Sequence, residues 1–193
     1  MGAGWVLWLL VILSVMGVAV IVERSLYLWF SRDDLAKLST ELRTLLAKGE
    51  PTRARCRLEE SPSFEARIAR AALDGDNAGS AEERMLAESQ LVRMNMERRL
   101  AFLGTLGNNA PFIGLLGTVI GIVRAFQALD AGAGAPTTGL MAELGHALIA
   151  TAVGLIVALP AVAAFNAFSR VIKTRIGRGE VLAREVLAHF KRD

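Results

Sequence analysis

Residues 110–123 read Ala-Pro-Phe-Ile-Gly-Leu-Leu-Gly-Thr-Val-Ile-Gly-Ile-Val, and the reading of this run decides the fold. It carries no charge, but at 14 residues it falls short of the roughly 20 that a membrane helix needs. Widened to Ala101–Leu129 it reaches spanning length and takes in Asn108, Asn109, Pro111, five glycines and Arg124. The neighbouring runs show how to take it. Trp5–Val22 is 18 residues without a charge and, at about 1.5 Å per helical residue, reaches about 27 Å, close to the hydrocarbon thickness. Leu144–Phe168 is 25 residues, enough to cross with some tilt, and Pro160 inside it is a candidate kink. The expected fold class is an all-α membrane protein with three transmembrane helices that continue into a cytoplasmic helical bundle.

Composition agrees: 53% of residues are hydrophobic and 21% charged, with mean hydropathy +0.40, too apolar a balance for an ordinary soluble domain. No basic cluster with readout elements is present, so nucleic acid is not an expected partner. A single cysteine, Cys56, rules out an intramolecular disulfide. The first run has a competing reading as a cleaved signal peptide, but no Lys or Arg precedes it while Arg24 and Arg32 follow, which favours an uncleaved helix with its N-terminus outside. Trp5, Trp8, Tyr27 and Trp29 near its ends suit the headgroup level.

Between the first two runs the chain turns charged and Ala-rich, with breaks at Gly49-Glu50-Pro51, Ser61-Pro62-Ser63 and Asp74–Ser80. Several soluble helices are expected there. Ser80-Ala81-Glu82-Glu83 has the spacing of a capping box. Met85, Leu86, Leu91, Met94 and Leu100 supply an apolar face, on a helix expected to run directly into the membrane. Residues 31–104 hold 13 Lys and Arg and residues 170–193 hold seven, whereas Asp130–Met141 holds none. The positive-inside rule then places the large loop and the C-terminus in the cytoplasm and the N-terminus outside. The expected organisation is a first helix over 1–30, a cytoplasmic helical region over 31–100, a second helix over 101–129, a periplasmic loop over 130–141, a third helix over 142–169 and a cytoplasmic C-terminal helix over 170–193.

Within the second run, Gly114, Thr118, Gly121 and Ala125 recur at four, three and four residues; Ala147, Thr151, Gly154, Ala158 and Ala161 do so in the third. Each set makes a narrow stripe of small side chains on one helical face. Two readings stand side by side. Small stripes let helix backbones approach, and a Thr hydroxyl can bond back to its own helix; alternatively the faces line a narrow path in which Thr118 and Thr151 relay a proton. A proton falling through 100 mV releases about 2.3 kcal/mol, and harvesting it needs a titrating group in the field. The runs offer none at mid-depth, since Asp130, Glu143 and His146 all lie toward the outer end. His146, with an ordinary pKa near 6.5, suits proton entry or is a plain interfacial histidine; Glu143 is a second candidate for entry or a solvated acid on the helix dipole. Arg124 either snorkels outward or pairs with a carboxylate. No phosphate-binding loop, nucleophile elbow or metal-spaced Cys/His set is present, so an enzyme is not expected, and neither is a cofactor.

Pro111-Phe112-Ile113-Gly114-Leu115-Leu116-Gly117-Thr118-Val119-Ile120-Gly121, followed by Phe126, resembles the second-helix signature of the ExbB/TolQ/MotA proton-channel family. Ala147 through Leu155 and Ala158-Leu159-Pro160-Ala161 resemble its third-helix signature, and Glu23-Arg24 fits the end of its first helix. The resemblance implies a homo-oligomeric ring, a pentamer, around a dimer of an ExbD/TolR-like single-helix protein that supplies the titrating Asp. It implies protons as the coupling ion, Thr118 and Thr151 as pore-lining residues, and Gly114, Gly121, Ala147, Gly154, Ala158 and Pro160 as pore packing. Output would pass to a TonB/TolA-like or motility component. Three crossings match ExbB and TolQ better than MotA. One departure is His146, which stands where many members carry Glu. A passive membrane scaffold without proton conduction is the alternative.

Overall fold

The computed structural model describes residues 4–131 and 138–190. The described residues form helices α1 (Gly4–Phe30), α2 (Leu35–Ala47), α3 (Pro51–Glu60), α4 (Phe64–Leu73), α5 (Ala78–Glu97), α6 (Leu100–Ala131) and α7 (Thr138–Phe190). Three of them, α1, α6 and α7, include stretches long and apolar enough to cross a membrane. Contacts divide the chain into an apolar unit, Met1–Glu23 with Arg99–Ala167, and a charged unit, Arg24–Arg98 with Phe168–Asp193.

In the charged unit each helix has a start or stop written in its sequence. The Asp34 carboxylate accepts from the amides of Ala36 and Lys37, Pro51 opens α3, and Ser63 caps α4, each supplying or sparing an orphan donor of a first turn. α2 ends at Gly49, whose φ of 69° is left-handed; its amide donates to Leu46 O and that of Glu50 to Leu45 O, a Schellman closure. Successive helices then stack α2 on α3, α3 on α4 and α4 on α5. Leu38, Leu42, Leu58, Ile68, Val92, Met96, Ile172, Leu182 and Val186 are buried in the process. Gly179 of α7 admits α4 closely: a Cβ there would lie 2.6 Å from Ile68 Cδ1.

Three local expectations are corrected. The start of α5 is capped by Asn77, whose side-chain oxygen accepts from Ser80 N, so the Ser80 capping box is not used; Asn77 has the extended backbone a cap needs, and Gly75 before it lies close against Ala81. The buried face of α5 is Ala81, Met85, Ser89, Val92 and Met96, while Leu86, Leu91 and Met94 are exposed. Hydrophobicity alone does not distinguish these three from the buried set, yet only the 4-4-3-4 series stays on one side of a 3.6-residue helix. Finally, α5 does not run directly into α6. Arg98 leaves the helical region with ψ 132° and Arg99 has φ 68°, which breaks the i→i−4 ladder, and the Arg99 guanidinium pairs with Glu23.

One side chain holds three segments of the charged unit together. Arg175 of α7 donates from Nε to Glu65 Oε1 at 2.9 Å and from Nη2 to Oε2 at 3.1 Å. Its Nη1 reaches Leu28 O at 3.1 Å and Ser31 Oγ at 2.9 Å, and Nη2 also donates to Ser31 O. The guanidinium lies 5.2 Å from the Phe64 ring centroid, and Phe64 in turn packs on Tyr27 at 5.3 Å. Tyr27 thus packs one face on this unit while remaining exposed, as Trp5, Trp8 and Trp29 are.

Candidate functional site

The apolar unit is built on glycine. Val6 and Leu10 of α1 pack with Leu106 and Ala110 of α6 and with Val157, Ala158 and Ala161 of α7. α6 and α7 run antiparallel along a series of close approaches: Gly104 against Phe165, Gly107 against Val162, Gly114 against Gly154, Gly117 against Ala150. At the centre a Cβ on Gly114 would sit 2.7 Å from Ala150 O and 3.0 Å from Thr151 Cα, and one on Gly154 would sit 2.7 Å from Ala110 O. Nothing larger than hydrogen fits on either side. Pro111 and Pro160 lie inside their helices; lacking an N–H, each leaves the carbonyl four residues earlier without its helical donor.

The residues singled out in the sequence are divided by this arrangement. Gly114, Gly121 and Ala125 of α6 are buried, as are Ala147, Gly154, Ala158 and Ala161 of α7. The geometry brings Gly114, Thr151 and Gly154 into one contact region. The buried strip on α6 continues through Gly117 rather than Thr118, and on α7 through Ala150 rather than Thr151. Both threonines are half-buried on the flanks of the packed faces. Their hydroxyls differ: Thr118 Oγ1 donates to Leu115 O at 2.6 Å, whereas Thr151 Oγ1 is covered and has no hydrogen-bond partner among the described residues. His146 and Pro160 are exposed and Arg124 is half-buried, with no carboxylate within salt-bridge distance of Arg124 among the described residues. The side chain of Glu143 lies outside the described residues, as do those of Asp130 and the 132–137 connection.

Sequence reading missed Gly104, Gly107, Gly117 and Ala150. The sevenfold spacing of Gly107, Gly114 and Gly121 was the available signal, because seven residues return to nearly the same helical face. It also missed the Glu65–Arg175 pair, 110 residues apart, for which no local pattern exists.

A large share of the apolar side chains on the three long helices remains exposed, among them Val15, Val18, Phe112, Val119, Phe126, Leu148, Ile156 and Leu159. In a monomer in water such surface is untenable; it belongs against lipid and other membrane helices. The molecule is thus a polytopic helical membrane protein whose spans close on one another through glycine.

Comparison with known proteins makes this specific. Residues 59–180 match the model of the MotA/TolQ/ExbB proton channel family, and the chain belongs to that family. It is 43% identical over 79 residues to a putative biopolymer transport protein ExbB-like 2 of Helicobacter pylori, covering 41% of this chain and 53% of the relative. Against the biopolymer transport protein ExbB of Xanthomonas campestris it is 41% identical over 95 residues, 49% of this chain and 38% of the relative. Against the Tol-Pal system protein TolQ of Pseudomonas aeruginosa it is 41% identical over 97 residues, 50% and 42% respectively. The matching stretch spans about half or less of the length of these curated relatives.

Proposed function

We propose that this chain is the channel-forming stator subunit of a motor driven by the proton-motive force, coupling proton flow across the bacterial inner membrane to mechanical work in the envelope. Five copies form a ring around two copies of an ExbD/TolR-like single-helix protein, which supplies the titrating Asp. The N-terminus is periplasmic and the C-terminus cytoplasmic, on the charge asymmetry of the loops. Thr118 and Thr151 line the path, and His146 with Glu143 admits protons from the outer side. The driven machine is of TonB-type uptake, Tol-Pal or gliding and secretion type, in keeping with relatives named ExbB and TolQ.

The observation that carries this reading is the Thr151 hydroxyl. A covered polar atom without a partner costs about 1–3 kcal/mol, and turning the half-buried Thr151 side chain so that its hydroxyl meets a carboxyl group of another chain would remove that cost. Thr151→Val keeps the shape and deletes the hydroxyl. The variant is expected to assemble with its partner as the wild type does and to lose energy-dependent output; unchanged output overturns the proposed role. The passive-scaffold reading is favoured by the glycine packing of α6 on α7, which needs no channel. It requires output to be indifferent to a protonophore, and the stator reading requires output to collapse.

A further inference from the structure

The charged unit contains a cavity of about 430 Å³ whose lining includes Arg32, Asp33, Glu65, Arg170, Arg175 and Arg178. Its acids are already committed. Glu65 accepts through both carboxylate oxygens from Nε and Nη2 of Arg175, and Asp33 accepts from the Ser61 hydroxyl at 2.6 Å and faces Arg57 at 3.9 Å. Arg32, Arg170 and Arg178, all exposed, have no carboxylate within salt-bridge distance among the described residues. Three uncompensated guanidinium groups therefore surround one concave site, and their planar forks suit phosphate oxygens.

The surroundings of these cations are apolar. Arg170 is the first cation after the third apolar run, and Arg32 is the first exposed one after the first run. The Arg32 guanidinium stacks 5.2 Å from the Trp29 ring centroid; Trp29 and Phe30 are exposed, and so is Val171 on the cavity wall. A free phosphate would gain nothing from such neighbours, whereas acyl chains would cover them. We propose that this cavity binds the phosphate headgroup of an anionic phospholipid, from the leaflet at which α1 and α7 leave their apolar runs.

The test is native mass spectrometry of the full-length chain in mild detergent, titrated in turn with phosphatidylglycerol, phosphatidylcholine and inorganic phosphate. Wild type and Lys173→Gln, an exposed cation of α7 outside the lining, are expected to retain phosphatidylglycerol equally. Replacing Arg32, Arg170 and Arg178 by Gln should weaken that binding about fivefold for each arginine removed. Should the triple variant lose helical circular dichroism, Arg178→Gln alone carries the same comparison at about fivefold. Several results overturn the proposal: undiminished phosphatidylglycerol binding by the variants, equal retention of phosphatidylcholine, or displacement of phosphatidylglycerol by inorganic phosphate. Dissociation of the oligomer in the triple variant also overturns it, since the cavity would then hold a neighbouring copy.

Discussion

The two units reach stability by opposite means. In the apolar unit, α6 and α7 meet backbone to backbone at Gly114 and Gly154 and leave most large side chains facing outward. In the charged unit the large side chains point inward and the surface is laced with ion pairs such as Arg67–Glu88 and Arg43–Glu185. The solvent explains the contrast. Lipid is as apolar as leucine, so burying leucine between membrane helices gains little and close van der Waals contact takes over. In water, removing apolar surface is the main source of stability, and helix ends need caps against competing water.

This contrast can be broken at its strongest point first. The Glu65–Arg175 pair is nearly inaccessible, and removing one partner of a buried pair costs about 3–5 kcal/mol. Glu65→Ala should therefore lower the thermal midpoint of the charged unit more than any loss of a surface pair, read by circular dichroism in detergent. Next comes Gly154→Ala, whose methyl would sit 2.7 Å from Ala110 O. Overpacking of this kind costs about 1–3 kcal/mol. Gly145→Ala, where a Cβ meets nothing within 4 Å, is its control and should be silent or slightly stabilising. If the two alanines behaved alike, close packing would not be what holds α6 to α7.

The smallest effect is expected at Asp33. The Ser61 hydroxyl, the Asp34 amide and Arg57 hold its carboxyl below the ordinary carboxylate pKa, against a partial opposing effect of burial. A depressed folded pKa means that the stabilisation is present above the unfolded value and is lost as pH falls through the folded one. Asp33→Asn should therefore flatten a shallow loss of stability below about pH 4, measured as the difference in midpoint between neutral and acid buffer.

The same contrast governs what could be read from sequence. The spans of α1 and α7 were legible from hydropathy, because a membrane span is specified by length and apolarity; that of α6 was not, since Asn108, Asn109, Pro111 and Arg124 interrupt its apolar run. The breaks between α2 and α5 were legible because Gly49, Pro51 and Ser63 act locally. The start of α5 was misplaced because Asn77 and Ser80 both make good caps, and residue type alone does not choose between them. The outward position of Leu86, Leu91 and Met94 was hidden because hydrophobicity does not say which of two apolar faces a helix buries. At the candidate site, the small-residue stripes located the contact region but not its centre line. Threonine and glycine are equally small in a pattern, yet only glycine permits the approach seen at Gly114. The partnerless state of the Thr151 hydroxyl depends on every atom around it, and no spacing encodes that.

Cys56 lies exposed on α3, and it is the chain's single sulfhydryl. A maleimide dye therefore attaches once per polypeptide, on a helix of the water-facing unit and far in sequence from both threonines. Stepwise photobleaching of such labelled assemblies in a supported bilayer would count the copies one dye at a time, without cutting, crosslinking or mutating the chain.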